Sequence, residues 1–591
     1  MIKIHDKKII LIFLAFLCLI FIRNIAVWSK EQSFIFADTA IYALYLAAFS
    51  KNITSIFSPQ NNFLGWNPNY LATGIPTLSI IDLGYLYPPN FFLAAVAKIL
   101  GNPLLVFPFT TISAFLHLAF GAFFIYKILN NHFKLKKYAS IIGGILWIIT
   151  GYNLEYLSAT SVLFAGSYLP VCFYLNLKRK AENKSSHFFL FFILLAFSFL
   201  AGYPMPSVII LLTVAVYNLL TASDIKNEFI SVVKDNLLGF FLITLPLISP
   251  LYFSAIANFP QSVRGTVLTL EGFVSNPIRI FNLAEGILPV NTPFNTTSST
   301  NIVYFSLGTV ALITILQAKQ KREIFKDIRL LALLVLAVFG ATFAAGGTTY
   351  FPTLVYLTTP IITFFRRLAV FSLISSFAVC LIVPHYIKNA MEQKGISEPL
   401  AFLIKIFAIL VIAAQVFRIA YKGTDLFLNY PALIQSLSVI FITGTFTVCA
   451  FIAYAKNKKV GMTIFAIALL IDSGTQVASK IYLNSKTNPL AVFEPNELTN
   501  YLKENTKTGD RVDILSTQHN YSSDYLGLAQ TAGYVALASE YGIRINELMP
   551  LSQSQYDSKN LRDILGVKYI VKKGDLEDSN LKKSWRLNKI Q

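Results

Sequence analysis

The chain has 591 residues, 55% of them hydrophobic and 13% charged, with a mean hydropathy of +0.59. Soluble domains carry roughly 25% charged residues, so this composition excludes an ordinary water-soluble enzyme and indicates a polytopic membrane protein. The net charge of +19 does not point to nucleic acid, because the basic residues form short clusters between apolar runs, where membrane topology signals sit.

The amino terminus, Lys3, Lys7 and Lys8 followed by an apolar run from Ile9, has the outline of a secretory signal. No small-residue cleavage pattern follows; the chain continues Arg23-Asn24-Ile25-Ala26-Val27-Trp28, which reads as an uncleaved first span ending at an aromatic interface. Further apolar runs predict spans near 104–129, 138–152, 161–177, 187–201, 206–221, 237–255, 302–318, 328–345, 368–386, 400–419, 432–455 and 461–480. With the first span near 9–28 these make about thirteen crossings, since a helix needs roughly 20 residues to cross the hydrocarbon. Basic clusters such as Lys134/Lys136/Lys137, Lys178/Arg179/Lys180 and Lys456/Lys458/Lys459 mark one side as cytoplasmic. An odd number of spans then puts the amino terminus in the cytoplasm and the carboxyl terminus outside.

Three sizeable loops fall on the outer side: 29–103, 256–301 and 346–367. The first contains two helix-like stretches too short to cross, Thr39 to Phe49 and Asn90 to Leu100, which predict surface helices roofing one end of a bundle. It also contains Gly65-Trp66-Asn67-Pro68-Asn69-Tyr70 and Tyr87-Pro88-Pro89-Asn90, too aromatic for disorder and too long for a simple connector, and reads as the floor of a site at the membrane surface. The chain thus divides into a membrane domain, 1–483, and an extracytoplasmic α/β domain, 484–591. In that tail, helix-like runs (Glu497 to Leu502, Asn560 to Leu565) alternate with strand-like ones (Arg511 to Leu515, Val567 to Val571).

Asp38, just beyond the first span, is the first candidate for chemistry. Partial desolvation raises a carboxylate's pKa and suits it to accept a proton from an attacking hydroxyl; the alternative is a cap on the Thr39 to Phe49 helix, and the two are compatible. Arg366 and Arg367 stand at the outer mouth of a span, where a guanidinium pair suits a lipid phosphate or simply reaches toward headgroups. Asp82, Glu155, Arg264, Glu271, Arg279 and Glu285 fall in or beside outer loops. They could bind sugar hydroxyls or a divalent ion, though none has metal-ligand spacing and solvated loop charge is the plainer reading. Trp66, Tyr70, Tyr85 and Tyr87 suit either stacking on a sugar or an interfacial aromatic belt. Asp472 and His117 lie within spans, where a carboxylate marks a functional position by default and a lone histidine is more often a hydrogen-bonded packing residue. The four cysteines each sit in an apolar segment and form no metal or disulfide pattern. Walker loops, GxGxxG, HExxH and a Ser-His-Asp arrangement are absent from the sequence, against an ATP-driven pump or a metalloprotease.

The run Gly65-Trp66-Asn67-Pro68, then Thr73-Gly74-Ile75-Pro76 and Leu86-Tyr87-Pro88-Pro89-Asn90, resembles the first outer loop of the bacterial YfhO-type membrane proteins. Ala201-Gly202-Tyr203-Pro204, Phe364-Phe365-Arg366-Arg367 and the closing Asn560 to Val571 segment resemble further parts of that family, in the same order. The resemblance implies a GT-C-type integral-membrane glycosyltransferase, which takes a sugar from a polyprenyl-phosphate carrier and transfers it outside the membrane to a cell-envelope polymer or glycolipid. It makes Asp38 the essential acidic residue of the first outer loop, as base or as a holder of a divalent ion, and Arg366 or Arg367 the contact to carrier phosphate. Trp66, Asn67, Asp82 and Tyr87 are the expected substrate-binding residues of that loop from the residues themselves, whereas the resemblance shifts the loop's Trp, Gly and Pro residues toward shaping the roof. Tyr203 departs from the family, which often has His there, so a role needing imidazole at that turn is not implied here. Two other readings remain open at this level: a flippase for a lipid-linked saccharide, and a non-catalytic envelope assembly protein whose tail binds polymer.

Overall fold

The computed structural model describes residues 4–21, 38–54, 78, 80–258, 327–344, 350–358 and 368–392, parts of 443–456, and then 457–482, 497–507, 510–514, 567–573 and 585–589. It is predominantly helical. The first helix is α1 (Ile4–Ile20), followed by α2 (Asp38–Asn52) and α3 (Pro88–Ile99) of the first long loop. Next come α4 (Val106–Lys127), α5 (Lys137–Ile148), the short α6 (Gly151–Glu155), α7 (Thr160–Ser167) and α8 (Leu169–Glu182). They are followed by α9 (Ser185–Leu200), α10 (Pro204–Leu220), α11 (Ile225–Gly239) and α12 (Leu245–Asn258). Beyond a gap in the described residues lie α13 (Ile328–Ala344), α14 (Tyr350–Thr358), α15 (Ser372–Glu392), α16 (Lys458–Tyr482) and α17 (Glu497–Asn505).

Four continuous helical stretches among the described residues are long and apolar enough to cross a membrane: Pro103–His132, Thr160–Glu182, Ile225–Asn258 and Leu368–Asn389. Three shorter apolar helices, α9, α10 and α13, accompany them. The expected spans at 302–318 and 400–419 lie outside the described residues, and 432–455 is described only in part. Where the boundaries differ from the sequence reading, backbone chemistry accounts for it. The run expected at 138–152 ends as helix at Ile148, because Thr150 accepts from the Asn153 amide and starts the separate turn of α6. The run expected at 237–255 belongs to a longer element, α11 to α12, joined through a π-helical turn at Phe240–Thr244.

The bundle core is built by close helix approach. The helix α5 lies against both α4 and α15, and α13 packs along α15. A Cβ at Gly144 of α5 would meet the Phe13 ring of α1 at 2.3 Å, so the absence of a side chain is what admits α1 to this contact. Trp147 of the same helix is fully buried. A second, smaller core lies under the first long loop, where Tyr45, Leu46 and Phe49 of α2 pack with Ala94 and Ala97 of α3 and with Phe107. The two predicted surface helices are therefore a layer with its own buried face. Ser50 ties them together by donating to the Ala94 carbonyl at 2.8 Å.

In the tail, β1 (Arg511–Ile514) pairs in parallel with β2 (Val567–Lys573), which pairs antiparallel with β3 (Trp585–Lys589). The helix expected at Asn560 to Leu565 lies outside the described residues.

Candidate functional site

A shallow cleft, about 300 Å³ counted with its open mouth, lies where the α2–α3 layer meets the bundle, lined among others by Tyr42, Asp82, Asn90, Thr110, Ser161 and Phe164. Each side chain is set by local backbone chemistry. Asp82 rides on a 3-10 turn, Ile81–Leu83, which ends at Gly84 in the left-handed region with φ of 56°. Pro88 and Pro89, with fixed φ and no amide hydrogen to leave unpaired, then start α3 immediately. That start carries Asn90 into the cleft wall. Its Nδ2 donates to the Gly84 carbonyl at 3.2 Å, which fixes the amide so that Oδ1 is left without a partner among the described residues although Asn90 is only 8% exposed. Ser161, one residue into α7 and 5% exposed, likewise has a buried Oγ with no partner among the described residues. Buried polar atoms normally find partners, so two on one cleft wall mark a place where something else supplies the hydrogen bonds.

From the opposite side the Ala201-Gly202-Tyr203-Pro204 turn closes on the same segment. Gly202 has φ of 114°, and a Cβ there would meet the Asp82 carbonyl oxygen at 2.8 Å. The turn that the sequence marks as a motif thus buttresses the Asp82 segment.

Beneath the cleft lies a polar network the sequence did not reveal. The Nδ1–H of His117 donates to the Ser113 carbonyl at 2.6 Å, and because a carbonyl only accepts, Nε2 is left as acceptor for the Tyr87 hydroxyl. The Tyr168 hydroxyl lies 2.8 Å from that of Tyr87 and donates to it. The His117 ring stacks on Phe164, with centroids 4.2 Å apart, and Phe164 in turn forms part of the cleft wall. Tyr87 is fully buried and joins the first loop to α4 and to Tyr168 at the cap of α8.

Asp82 is the charged side chain among the described cleft residues, so this part of the site is weakly acidic and rich in acceptors. At the far end of α2, burial pushes Lys51 below the ordinary lysine range, and the nearby positive charge of Lys503 on α17 adds to the effect. Among the described residues no group of three or more His, Cys, Asp or Glu could hold a metal ion.

The structure brings two of the expected site residues to this region, Asp82 in the cleft wall and Tyr87 beneath it. Asp38 is the first residue of α2, one turn before Tyr42. Trp66, Asn67, Arg366 and Arg367 lie outside the described residues, although Leu368, which follows them directly, is buried in a 3-10 turn. Asp472 is buried within α16. Sequence reasoning missed Ser161, Thr110 and Tyr168, which carry no motif. Asn90 was quoted only as the end of the Tyr-Pro-Pro-Asn run; its position directly after two helix-starting prolines was the available signal.

No protein-family model matches the chain, and no curated protein sequence does. Among solved structures, the apo form of ArnT from Cupriavidus metallidurans is similar over 94% of this chain and 92% of its own, with 8% identity and a TM-score of 0.50. The chain shares the fold of ArnT. The same protein bound to undecaprenyl phosphate aligns over 90% of this chain and 88% of its own, with 8% identity and a TM-score of 0.49. At such identity the likeness concerns fold alone. Together with the apolar helices, it makes the chain a membrane protein of ArnT-like architecture.

Proposed function

We propose that this protein is an inverting glycosyltransferase of the outer membrane face that takes a sugar from a polyprenyl phosphate and transfers it to a cell-envelope polymer or glycolipid. The observation that carries the reading is the ArnT-like fold along nearly the whole chain, with an acceptor-lined cleft under the first-loop helices. The YfhO-type subclass and the polyprenyl carrier come from the sequence resemblance. ArnT itself has been crystallised with undecaprenyl phosphate, which is a fact about that protein and in keeping with the proposal.

In the proposed step, an acceptor hydroxyl oxygen attacks the anomeric carbon and the bond from that carbon to the carrier phosphate oxygen breaks. Asp38 takes the hydroxyl proton, and would also help hold a divalent ion were one bound; Arg366 and Arg367 neutralise the phosphate as it departs. Asp82 would meet the sugar. Losing one such electrostatic contact typically costs roughly 2.7 to 4 kcal/mol of barrier. Purified Asp38→Asn should therefore transfer sugar on the order of a hundredfold more slowly than wild type, with folded protein retained. Wild-type turnover by this variant would remove Asp38 from the mechanism.

Movement of a lipid-linked saccharide across the bilayer is the competing reading, and the buried carboxylate of Asp472 inside α16 is the observation in its favour. Proteoliposomes that flip labelled donor but transfer no sugar to any acceptor would select it.

A further inference from the structure

A second pocket, an open recess of about 350 Å³ counted with its mouth, lies between α8, α9, α10 and α11 at the end of the bundle where basic residues collect. One wall carries an ion pair: Arg179 donates through Nη1 to Asp235 Oδ2 at 2.6 Å, with its guanidinium over the Phe188 ring. This uses one of the five guanidinium N–H donors, and no other acceptor serves the rest among the described residues. The floor is a reciprocal amide pair, Asn176 and Asn218, joined at 2.9 and 3.2 Å and almost fully buried. His187 adds a buried Nδ1 with no partner among the described residues. The remaining wall is apolar, from Phe191, Phe192, Val214 and Val232.

The surroundings identify the occupant. The stretch Ile225–Asn258 is apolar, but only 22% of its most hydrophobic window is buried, and Leu237, Leu238, Phe241 and Leu242 stand exposed beyond the cavity. A molecule in the cavity therefore continues along a face that meets lipid tails. At the rim, Lys180 pairs with Glu228 and Lys184 with Glu182, the charged belt expected at a bilayer interface. Polar pockets between helices at that level suit lipid headgroups. The lining balances one cation against one anion. An anionic headgroup would face Asp235 unfavourably, whereas one bearing both phosphate and ammonium satisfies both partners.

We propose that this cavity binds an aminophospholipid of the phosphatidylethanolamine class. The phosphate accepts from Arg179 and from His187, the ammonium donates to Asp235, and one acyl chain lies against the exposed apolar face of α11.

The test is native mass spectrometry of the full-length protein equilibrated with equal amounts of phosphatidylethanolamine and phosphatidylglycerol, with inorganic phosphate as a third arm. Wild type should retain phosphatidylethanolamine about tenfold over phosphatidylglycerol, and inorganic phosphate should not displace it. Two variants report on the cavity. The paired R179Q/D235N removes both charges together, and His187→Phe fills the space while leaving the ion pair intact. Each should lose retention about tenfold, with thermal melting of His187→Phe close to wild type. Equal retention of the two lipids, displacement by phosphate, or unchanged retention in His187→Phe would each overturn the proposal.

Discussion

The hydroxyl of Tyr87 is the atom on which three parts of the chain converge, because it bonds both His117 on α4 and Tyr168, which caps the start of α8, while its backbone belongs to the first loop. Tyr87→Phe keeps the ring and its packing but strands the Nε2 of His117. Leaving a buried acceptor unsatisfied costs about 1 to 3 kcal/mol, so the variant should melt several degrees lower in detergent than wild type. An unchanged melt would mean that water replaces the hydroxyl. Gly202 answers a different physical question, since its φ of 114° suits no L side chain and its Cα faces the Asp82 carbonyl. Gly202→Ala should cost roughly 1 to 3 kcal/mol of stability, which the same melting experiment reads. The displaced carbonyl belongs to the cleft segment, so sugar transfer should fall more than melting alone explains. Sequence inspection marked both residues, yet for resemblance and aromaticity; the hydrogen bonds and the close approach that give them their roles join positions tens of residues apart.

At the level of elements, the start of α13 shows how the polar ends of apolar helices are held. Asp327 accepts from the Arg329 amide at 2.9 Å and from its guanidinium at 2.9 and 2.7 Å, closing a cap and an ion pair in one turn. Those bonds favour the ionised form, and they hold the Asp327 carboxyl below its ordinary range. A depressed carboxylate contributes stability that is present above its unfolded-state pKa and is lost as pH falls through the folded-state value. Asp327→Asn should therefore narrow its stability gap to wild type as the medium is acidified. Because both side chains are partly exposed, the gap at neutral pH should be no more than about 1 kcal/mol. A gap independent of pH would assign Asp327 a packing role only. The same scale explains why α2 and α3 were legible as helices but not as a layer: their length and pattern are local, whereas the burial of Tyr45 and Phe49 depends on Ala94 and Ala97, small residues that only become informative once the helices face each other.

For the molecule as a whole, the two ends of the bundle differ in chemistry. One end carries the acceptor-lined cleft under the α2–α3 layer; the other carries the Lys127–Asp6, Arg179–Asp235 and Lys180–Glu228 ion pairs. Positive residues are retained on the cytoplasmic side, which predicts that the cleft faces outward. In a background lacking the four native cysteines, Thr54→Cys should react with an impermeant maleimide in intact cells, and Ser186→Cys only after permeabilisation. The reverse pattern would place the cleft inside and end the outer-face proposal. By itself the sequence determined that this chain enters a bilayer, which end is basic, and where most apolar helices run, because hydropathy and charge are local sums that need no partner. Which loop helices form a roof, which turn presses on Asp82, and which buried acceptors are left open in a cleft were decided by tertiary structure alone, because each depends on two distant segments meeting within a few ångströms. The polar and aromatic loop shows both halves. Its unusual composition pointed to a site, and the pairing of Asn90 with Gly84 and of Tyr87 with His117 decided which of its described residues face the cleft and which lie beneath it.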